Sequence, residues 1–259
     1  MLSSEEILHY QPTKDLLKER VILITGAGNG IGKAAAINCA ALGATVILAG
    51  RTVAKLEQTY DQIVSQKAAS QNYHEPLLYP VDMEGATYED YEQLCVHIIE
   101  QFGRLDGLLL NAGVLGQRTP LNNYRPDVWD NVMKVNVTAQ FLLTQALMPA
   151  LEKSEDASII FTSSGVGRKG RAFWGAYAVS KFAVEGMVQT WASELEGLGS
   201  VRVNAINPGA TRTTMRAQAY PAENPNTLKT PEEIMPAYLY LLGPDSKGVN
   251  GQSVNAQNR

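Results

Sequence analysis

The sequence predicts one doubly wound α/β domain, in which helices cover both faces of a mostly parallel sheet of about seven strands. Two observations lead to this fold class. Short apolar segments alternate with longer amphipathic ones from residue 20 onward, and the short segments are rich in β-branched residues or leucine without polar alternation. Such strands are buried on both faces, as in parallel sheets. No repeat or linker divides the sequence, so we expect a domain over 20–259 after an N-terminal extension, 1–19.

The predicted elements follow one another along the chain. Strands are expected over 21–24, 45–49, 77–81, 107–110, 158–161 and 201–206. Helices are expected over 31–42, 53–68, 88–102, 128–151, 176–195 and 231–242. The polar stretch 211–229, which contains Pro221 and Pro225, predicts a loop with short helical pieces. Because ligands of doubly wound sheets bind beyond the carboxyl ends of the strands, this loop is a candidate to cover a ligand.

The composition argues against several classes of function. A formal net charge of −4 gives no basic field of the kind that nucleic-acid binders use. The sequence contains no run of about 18 uncharged apolar residues, so no membrane span is predicted. The acidic N-terminal segment lacks the apolar core of a secretory signal. Cys39, Cys95 and the three histidines are scattered without metal-ligand spacing. We therefore expect a cytoplasmic protein with no metal site and with two buried, reduced thiols.

A glycine-rich turn joins the first predicted strand to an alanine-rich helix. Glycines in such a turn permit positive φ angles and close approach of the backbone to a pyrophosphate, which the N-terminus of the helix then binds. Lys33 is followed by Ala34, so the segment lacks the ending of an ATP-binding P-loop. The alternative is a turn with no ligand. The candidate contacts in this turn are Thr25, Gly26, Gly28, Asn29, Gly30 and Ile31.

The residues after the second predicted strand indicate which dinucleotide binds. An acidic residue there would accept hydrogen bonds from a ribose 2′-hydroxyl and repel a 2′-phosphate. This sequence has Arg51 and Thr52 instead, and a guanidinium can bind a phosphate through two hydrogen bonds. The position therefore favours NADP(H) over NAD(H), unless Arg51 only covers the surface of the sheet.

Tyr177 and Lys181 are four residues apart on one face of a predicted helix. A free phenol has a pKa of about 10, and a nearby cation lowers that pKa and so favours acid–base catalysis. The spacing alone is weak evidence, because Tyr10 and Lys14 repeat it around a helix-disfavouring proline. Only Tyr177 has a serine, Ser164, at the end of a strand upstream and a glycine-rich turn before it. The alternative is an exposed helix pair without chemistry.

These motifs, in this order from Thr25 to Thr213, resemble the short-chain dehydrogenase/reductase family, whose members have a Rossmann-type domain. Within it, the chain is similar to the YciK-like group of bacterial oxidoreductases. That similarity rests on Tyr10-Gln11-Pro12, Thr162-Ser163-Ser164, Val166-Gly167-Arg168, Trp174-Gly175-Ala176-Tyr177, Pro208-Gly209 and Thr211-Arg212-Thr213. The C-terminal Asn255-Ala256-Gln257 departs from the usual Asp-Gly-Gly ending of the family.

The resemblance implies an NADP-dependent oxidoreductase acting on an alcohol or carbonyl compound. Tyr177 would be the acid or base, Lys181 would lower its pKa, Ser164 would orient the carbonyl, and Asn136 would hold a water for proton relay. Further cofactor contacts are implied at Asp82, Met83, Asn111, Ala112, Gly113, Tyr177, Lys181, Pro208, Gly209, Thr211 and Thr213. A sensor or scaffold that binds NADP(H) without turnover is the alternative, although it would not need all four catalytic residues.

The resemblance also implies a homodimer or homotetramer joined through the helices 128–151 and 176–195, with a small molecule as the substrate. Phe173 and Trp174 are candidates for an aromatic wall of the site, with ordinary packing as the alternative. A cationic rim that favours an anionic substrate would come from Arg168, Lys169, Arg171, Arg212 and Arg216. Solvated or interfacial charges are the alternative to the rim.

Overall fold

A computed structural model describes residues 3–66 and 74–258. Its sheet has seven strands, every neighbouring pair of which is parallel, in the order β3-β2-β1-β4-β5-β6-β7. The strands are β1 Val21–Thr25, β2 Thr45–Gly50, β3 Leu77–Pro80, β4 Gly107–Leu110, β5 Ala157–Thr162, β6 Val201–Asn207 and β7 Ser253–Asn255. The predicted fold class is confirmed, and β7 is a strand that the sequence pattern did not locate.

Helices connect the strands. They are α1 Ser4–Leu8, α2 Gly30–Ala41, α3 Val53–Ser65, α4 Tyr88–Phe102, α5 Pro126–Met133, α6 Ala139–Leu151, α7 Gly175–Leu195, α8 Thr214–Ala219 and α9 Met235–Leu242. The helix predicted over 53–68 corresponds to α3, and positions 67 and 68 lie outside the described residues. In the described part of the chain, no helix is long and apolar enough to cross a membrane.

Two hydrophobic cores lie on opposite faces of the sheet. Side chains alternate along a strand, so Ile22 and Ile24 of β1 join one core while Leu23 joins the other. The first core contains the buried faces of α2 and α9, and the second contains those of α4, α6 and α7. The sheet is therefore covered on both faces, and the edge at the carboxyl ends of the strands is left for a ligand.

The long helix predicted over 128–151 is interrupted. Five residues, Lys134–Thr138, form a π-helical turn between α5 and α6. Isolated turns of this kind occur where another contact offsets the weaker geometry of the helix. Here that contact is the side chain of Asn136, which is fully buried and bonds to the backbone of Val114 on the loop after β4. The helix begins at Pro126, a favoured first residue.

The N-terminal segment before residue 20 packs on the same side of the sheet as α9. Ile7, Tyr10 and Leu17 are buried in the first core. The Tyr10 hydroxyl donates a hydrogen bond of 2.7 Å to Asp245. Tyr10 is therefore engaged far from Tyr177, and the second tyrosine–lysine spacing of the sequence has a packing role.

Candidate active site

The strand order reverses between β1 and β4, which are neighbours in the sheet. In doubly wound sheets this reversal opens a crevice at the carboxyl ends of the strands. Two adjoining grooves lie there. One, the Arg51 groove, extends from Thr25 to Arg51 and Asp82, and the other, the Tyr177 groove, contains Ser164 and Tyr177. The residues that line both are Gly26, Asn29, Ala112, Gly113, Thr214 and Met215.

The glycine-rich turn forms the floor between the two grooves. Gly26 and Gly30 have φ angles of +70° and +53°, which side chains rarely adopt. A Cβ atom on Gly32 would lie 2.3 Å from the carbonyl oxygen of Gly26, so only glycine permits this approach of α2 to the turn. Asn29 caps α2 by accepting a hydrogen bond of 2.8 Å from the Gly30 amide.

Thr25 fastens the end of β1 to the segment after β4. Its hydroxyl oxygen accepts hydrogen bonds from the amides of Asn111 at 2.9 Å and Ala112 at 3.0 Å, and the hydroxyl donates to Leu109. The amide side chain of Asn111 donates to the Thr25 carbonyl. The threonine and asparagine predicted as cofactor contacts therefore also hold the crevice together.

The far end of the Arg51 groove is cationic. Arg51 and Lys55 line it and are exposed, and within the described ranges Arg51 forms no ion pair. Asp82 supplies a carboxylate on the other wall, where it accepts a hydrogen bond from the Glu84 amide. Met83 is buried beside it. This end has the charge needed to hold a phosphate.

Tyr177 and Lys181 lie one turn apart on α7 and both line the Tyr177 groove. Burial raises the pKa of Tyr177 to about 12, against an opposing hydrogen bond with Ser164. Burial lowers the pKa of Lys181 to about 8, opposed by the charge of Glu185. The Lys181 Nζ atom donates to the Thr162 carbonyl at 2.6 Å and lies 5.7 Å from the centroid of the Tyr177 ring.

The two serines after β5 have different partners. Ser163 is buried, and its hydroxyl donates to Glu185 at 2.5 Å. Ser164 is half-buried, and its hydroxyl oxygen accepts only a long bond of 3.4 Å from the Val166 amide besides its interaction with Tyr177. Ser164, as predicted, is the serine whose hydroxyl is less firmly held and lies beside the phenol.

Asn136 lies behind the grooves and lines neither of them. Its side-chain oxygen accepts from the Val114 amide at 2.8 Å. Its side-chain nitrogen donates to the Val114 carbonyl at 2.9 Å and to the Ser180 hydroxyl at 3.1 Å. Both amide hydrogens are therefore used, and a water could be held only by the remaining lone pair of the side-chain oxygen or by the main-chain carbonyl.

The turn after β6 forms the opposite wall of the Tyr177 groove. Pro208, Gly209, Thr211 and Thr213 line the groove as predicted. Gln257, part of the unusual C-terminal sequence, donates to the Pro208 carbonyl at 2.7 Å and lies where a Cβ atom on Gly209 would be. The departure from the family ending therefore braces this turn. Every residue predicted as catalytic or as a cofactor contact, except Asn136, therefore lines a groove.

Arg168 and Arg212 do not form the cationic rim considered from the sequence, because each is bound elsewhere. Arg168 pairs with Glu185 and donates to Asn255 at 2.6 Å, whereas Arg212 donates to backbone carbonyls of its own loop. Arg216 does line the Tyr177 groove, but two bonds of 2.6 Å pair it with Glu223.

Of the predicted aromatic wall, Trp174 lines the groove, whereas Phe173 is 55% exposed and does not. Nothing in the sequence indicated Arg118, which lies over the ring of Trp174, or Tyr220, which follows α8; both lie behind this wall and line neither groove. No local spacing could have identified them, because they come from separate loops. Among the described residues, no group of three or more histidine, cysteine, aspartate or glutamate side chains could hold a metal ion.

Comparisons with known proteins agree with this geometry. The model of the short chain dehydrogenase family matches residues 20–224. The uncharacterized oxidoreductase YciK of Escherichia coli K12 is 51% identical over 250 residues, 96% of each chain. A structure of a short chain dehydrogenase from Pseudomonas syringae is 56% identical, with a TM-score of 0.90 and 99% of this chain and 100% of that chain covered. A short chain dehydrogenase structure from E. coli CFT073, complexed with NADPH, is 51% identical with a TM-score of 0.91, and the match covers 95% of this chain and 100% of that chain.

Proposed function

Because the chain belongs to the short-chain dehydrogenase family of oxidoreductases, we propose that it transfers a hydride between NADP(H) and a small alcohol or carbonyl compound. One observation carries the proposal. Ser164, Tyr177 and Lys181 lie together in a groove that continues, past the glycine-rich turn, to Arg51. Candidate acid–base residues and a candidate phosphate-binding site thus lie in one continuous crevice.

The residues of the crevice fit NADP(H). The amides at the start of α2 and the close approach that Gly26, Gly30 and Gly32 permit suit the pyrophosphate. Arg51 and Lys55 suit the 2′-phosphate, since an arginine and no acidic residue follows Gly50, the last residue of β2. The E. coli relative crystallised with NADPH supports the assignment. When bound, the nicotinamide supplies the site that gives or accepts the hydride.

In the direction of reduction, Tyr177 supplies a proton to the substrate oxygen, and Ser164 donates a hydrogen bond that orients and polarises the carbonyl. Burial holds the phenol protonated, because it raises the pKa of Tyr177 to about 12. Lys181 carries its charge below its pKa of about 8 and lies near the phenol ring, where it favours the phenolate that the transfer leaves. The three residues therefore form an acid supported by a cation.

In this proposal Asn136 is a positioning residue that holds the loop after β4. Its bonds to both the amide and the carbonyl of Val114 hold the loop after β4 in place. The same loop begins with Asn111, Ala112 and Gly113, which line the crevice. A water for proton relay to Lys181 would contact the main-chain carbonyl of Asn136 or its remaining side-chain lone pair.

The test is NADPH consumption, followed by absorbance, over a panel of aldehydes, ketones and quinones with NADH in parallel. Tyr177→Phe keeps the ring and removes the acid, so we expect kcat to fall at least about 100-fold while the Kd for NADPH stays within about threefold. Tyr79→Phe is the matched control, because its hydroxyl only donates to a backbone carbonyl of α4. Turnover retained in Tyr177→Phe would refute the assignment. Tight NADPH binding with no turnover of any carbonyl would favour a sensor or scaffold.

We also propose that the chain forms a homodimer or homotetramer through α6 and α7. Phe141 on α6 and Val179 and Phe182 on α7 are large apolar side chains that are 38–46% exposed. Exposed aromatic residues on neighbouring helices are typical of an interface. Light scattering on the wild type and on Phe182→Lys tests this proposal, and the expected result is a smaller assembly for the variant. A monomeric wild type would contradict it.

A further inference from the structure

Arg118 lies between two aromatic rings and contacts Trp174 and Ala219, two residues that line the Tyr177 groove. Its guanidinium carbon is 4.6 Å from the centroid of the Trp174 ring and 4.7 Å from that of Tyr220. One of its nitrogens donates to the carbonyl of Ala219, the last residue of α8. The two rings and the helix end thus hold the guanidinium beside the part of the groove that Trp174 and Ala219 line.

This guanidinium has unused donors and no counter-charge. Five N–H groups are available on an arginine side chain, and only the bond to Ala219 uses one here. Across residues 3–66 and 74–258, no carboxylate lies within 4.0 Å of it. The neighbouring Arg216 differs, because Glu223 neutralises it through two bonds of 2.6 Å.

Trp174, beneath Arg118, has a second unused donor. Its indole nitrogen is shielded from solvent and has no hydrogen-bond partner in the described part of the chain. A buried donor without a partner is costly, and such groups in native structures call for an explanation such as a missing ligand. Trp174 itself lines the Tyr177 groove, and its ring centroid is 5.6 Å from that of Tyr177.

The lining of the Tyr177 groove is partly apolar and partly cationic. Leu115, Met215 and Ala219 supply apolar walls. Lys181 and Arg216 also line the groove, and no aspartate or glutamate does so among the residues described. Among the described residues, an anionic substrate would therefore contact no carboxylate on the lining of this groove.

From these contacts we infer that Arg118 and Trp174 bind an anionic group of the substrate, most simply a carboxylate, so that the enzyme acts on carbonyl compounds with an apolar body and an acidic end. The inference deepens the proposed function and rests on it. The carboxylate accepts from the free Arg118 N–H groups and, after a small shift of the side chains that cover it, from the Trp174 indole N–H. The carbonyl of the same molecule then lies on the Tyr177 side of the tryptophan ring.

Binding of two probes tests the inference independently of turnover. Calorimetric titration of the NADP+-loaded protein compares 4-phenylbutanoate with 4-phenylbutanamide, which differ in charge but hardly in shape. We expect the carboxylate to bind at least about tenfold tighter than the amide, and Arg118→Gln to reduce that ratio to within about twofold. Arg125→Gln is the matched control, because Arg125 is an exposed arginine that pairs with Asp127 and lines neither groove. It should keep the full ratio.

Trp174→Phe keeps the ring and removes the N–H, and should weaken both probes because either carbonyl oxygen can accept from the indole. Three results would each overturn the inference: equal affinities of the wild type for the two probes, a carboxylate-to-amide affinity ratio that Arg118→Gln leaves unchanged, or no binding of either probe. Turnover separates this result from the proposed function. Reduction of neutral ketones with no preference for 4-oxo-4-phenylbutanoate over its amide would refute only the anion site, whereas charge-selective binding without reduction of any carbonyl would refute only the hydride transfer.

Discussion

The hydroxyl of Ser163 donates a hydrogen bond of 2.5 Å to the carboxylate of Glu185, which joins the end of β5 to the middle of α7. Glu185 lies one helical turn beyond Lys181, and it also pairs with Arg168 at 3.4 Å. One buried carboxylate therefore holds the segment that carries Ser164 and places a negative charge near the lysine. That charge raises the pKa of Lys181 against the stronger effect of burial.

Glu185→Gln should change the pH profile as well as the rate. Glutamine can still accept from Ser163 but lacks the charge, so the pKa of Lys181 should fall below its value of about 8. We expect the limb of the kcat profile that reports Lys181 to move to lower pH, and kcat near neutrality to fall about tenfold, or ~1.4 kcal/mol of transition-state stabilisation. The measurement is NADPH oxidation from pH 6 to pH 10.

Glu194→Gln is the control for this variant, because Glu194 is an exposed residue on the same helix. Its profile should overlay that of the wild type. A Glu185→Gln profile with a lower kcat but unmoved limbs would mean that the carboxylate only supports the structure.

Arg51→Asp should invert the preference between the two dinucleotides. The substitution removes the cation at the end of β2 and places a carboxylate beside any 2′-phosphate. We expect the ratio of kcat/KM for NADPH to that for NADH to fall at least about 100-fold, mostly through the KM for NADPH. Lys153→Asp makes the same charge change at an exposed residue just after α6 and should leave the ratio unchanged. A ratio that falls equally in both variants would show that only net charge matters.

The sequence predicted the parts of the site that local spacing determines. The turn around Gly26 to Gly32 and the pair Tyr177 and Lys181 follow from distances of a few residues along one strand or helix. These elements form as the pattern indicates, and the groove that they line is the predicted one. Local chemistry was sufficient because each motif lies within a single turn or helix.

The parts that the sequence did not predict depend on contacts between distant segments. The π-helical turn at Lys134–Thr138 interrupts a pattern that predicts one helix, because Asn136 bonds to Val114 on the loop after β4. In the sequence, nothing distinguishes Arg118 from other arginines. The anion-binding role proposed for it depends on its contacts with the rings of Trp174 and Tyr220. The partners of Arg168, which are Glu185 and β7, could not be identified from the sequence because they are far along the chain.

Gly32→Ala should weaken nucleotide binding. The new Cβ atom would lie 2.3 Å from the Gly26 carbonyl oxygen and 2.7 Å from the Asn111 side chain, and the backbone oxygen cannot move without opening the turn. We expect a loss of NADPH affinity of at least about tenfold, with a destabilisation of roughly 1–3 kcal/mol. Gly85→Ala is the control, because nothing lies within 4 Å of its added Cβ atom. Equal affinities in the two variants, measured by fluorescence titration, would contradict this account of the turn.

Lys181→Met should remove a pH dependence of stability as well as activity. Lys181 is 3% exposed, and burial lowers its pKa from 10.5 to about 8. Between those values the unfolded chain binds the proton and the folded chain does not, so the free energy of unfolding rises with pH through this window. Tyr177 opposes this only above pH 10, since its pKa is raised from 10.0 to about 12. Between pH 8 and pH 10, the free energy of unfolding of the wild type, measured with urea, should therefore rise by about 2 kcal/mol more than that of Lys181→Met.

Lys169→Met, at an exposed position, is the control, and its free energy of unfolding should follow that of the wild type. Parallel curves for the wild type and Lys181→Met would show that the buried lysine keeps an ordinary pKa, and the cation proposed beside Tyr177 would then persist throughout the range.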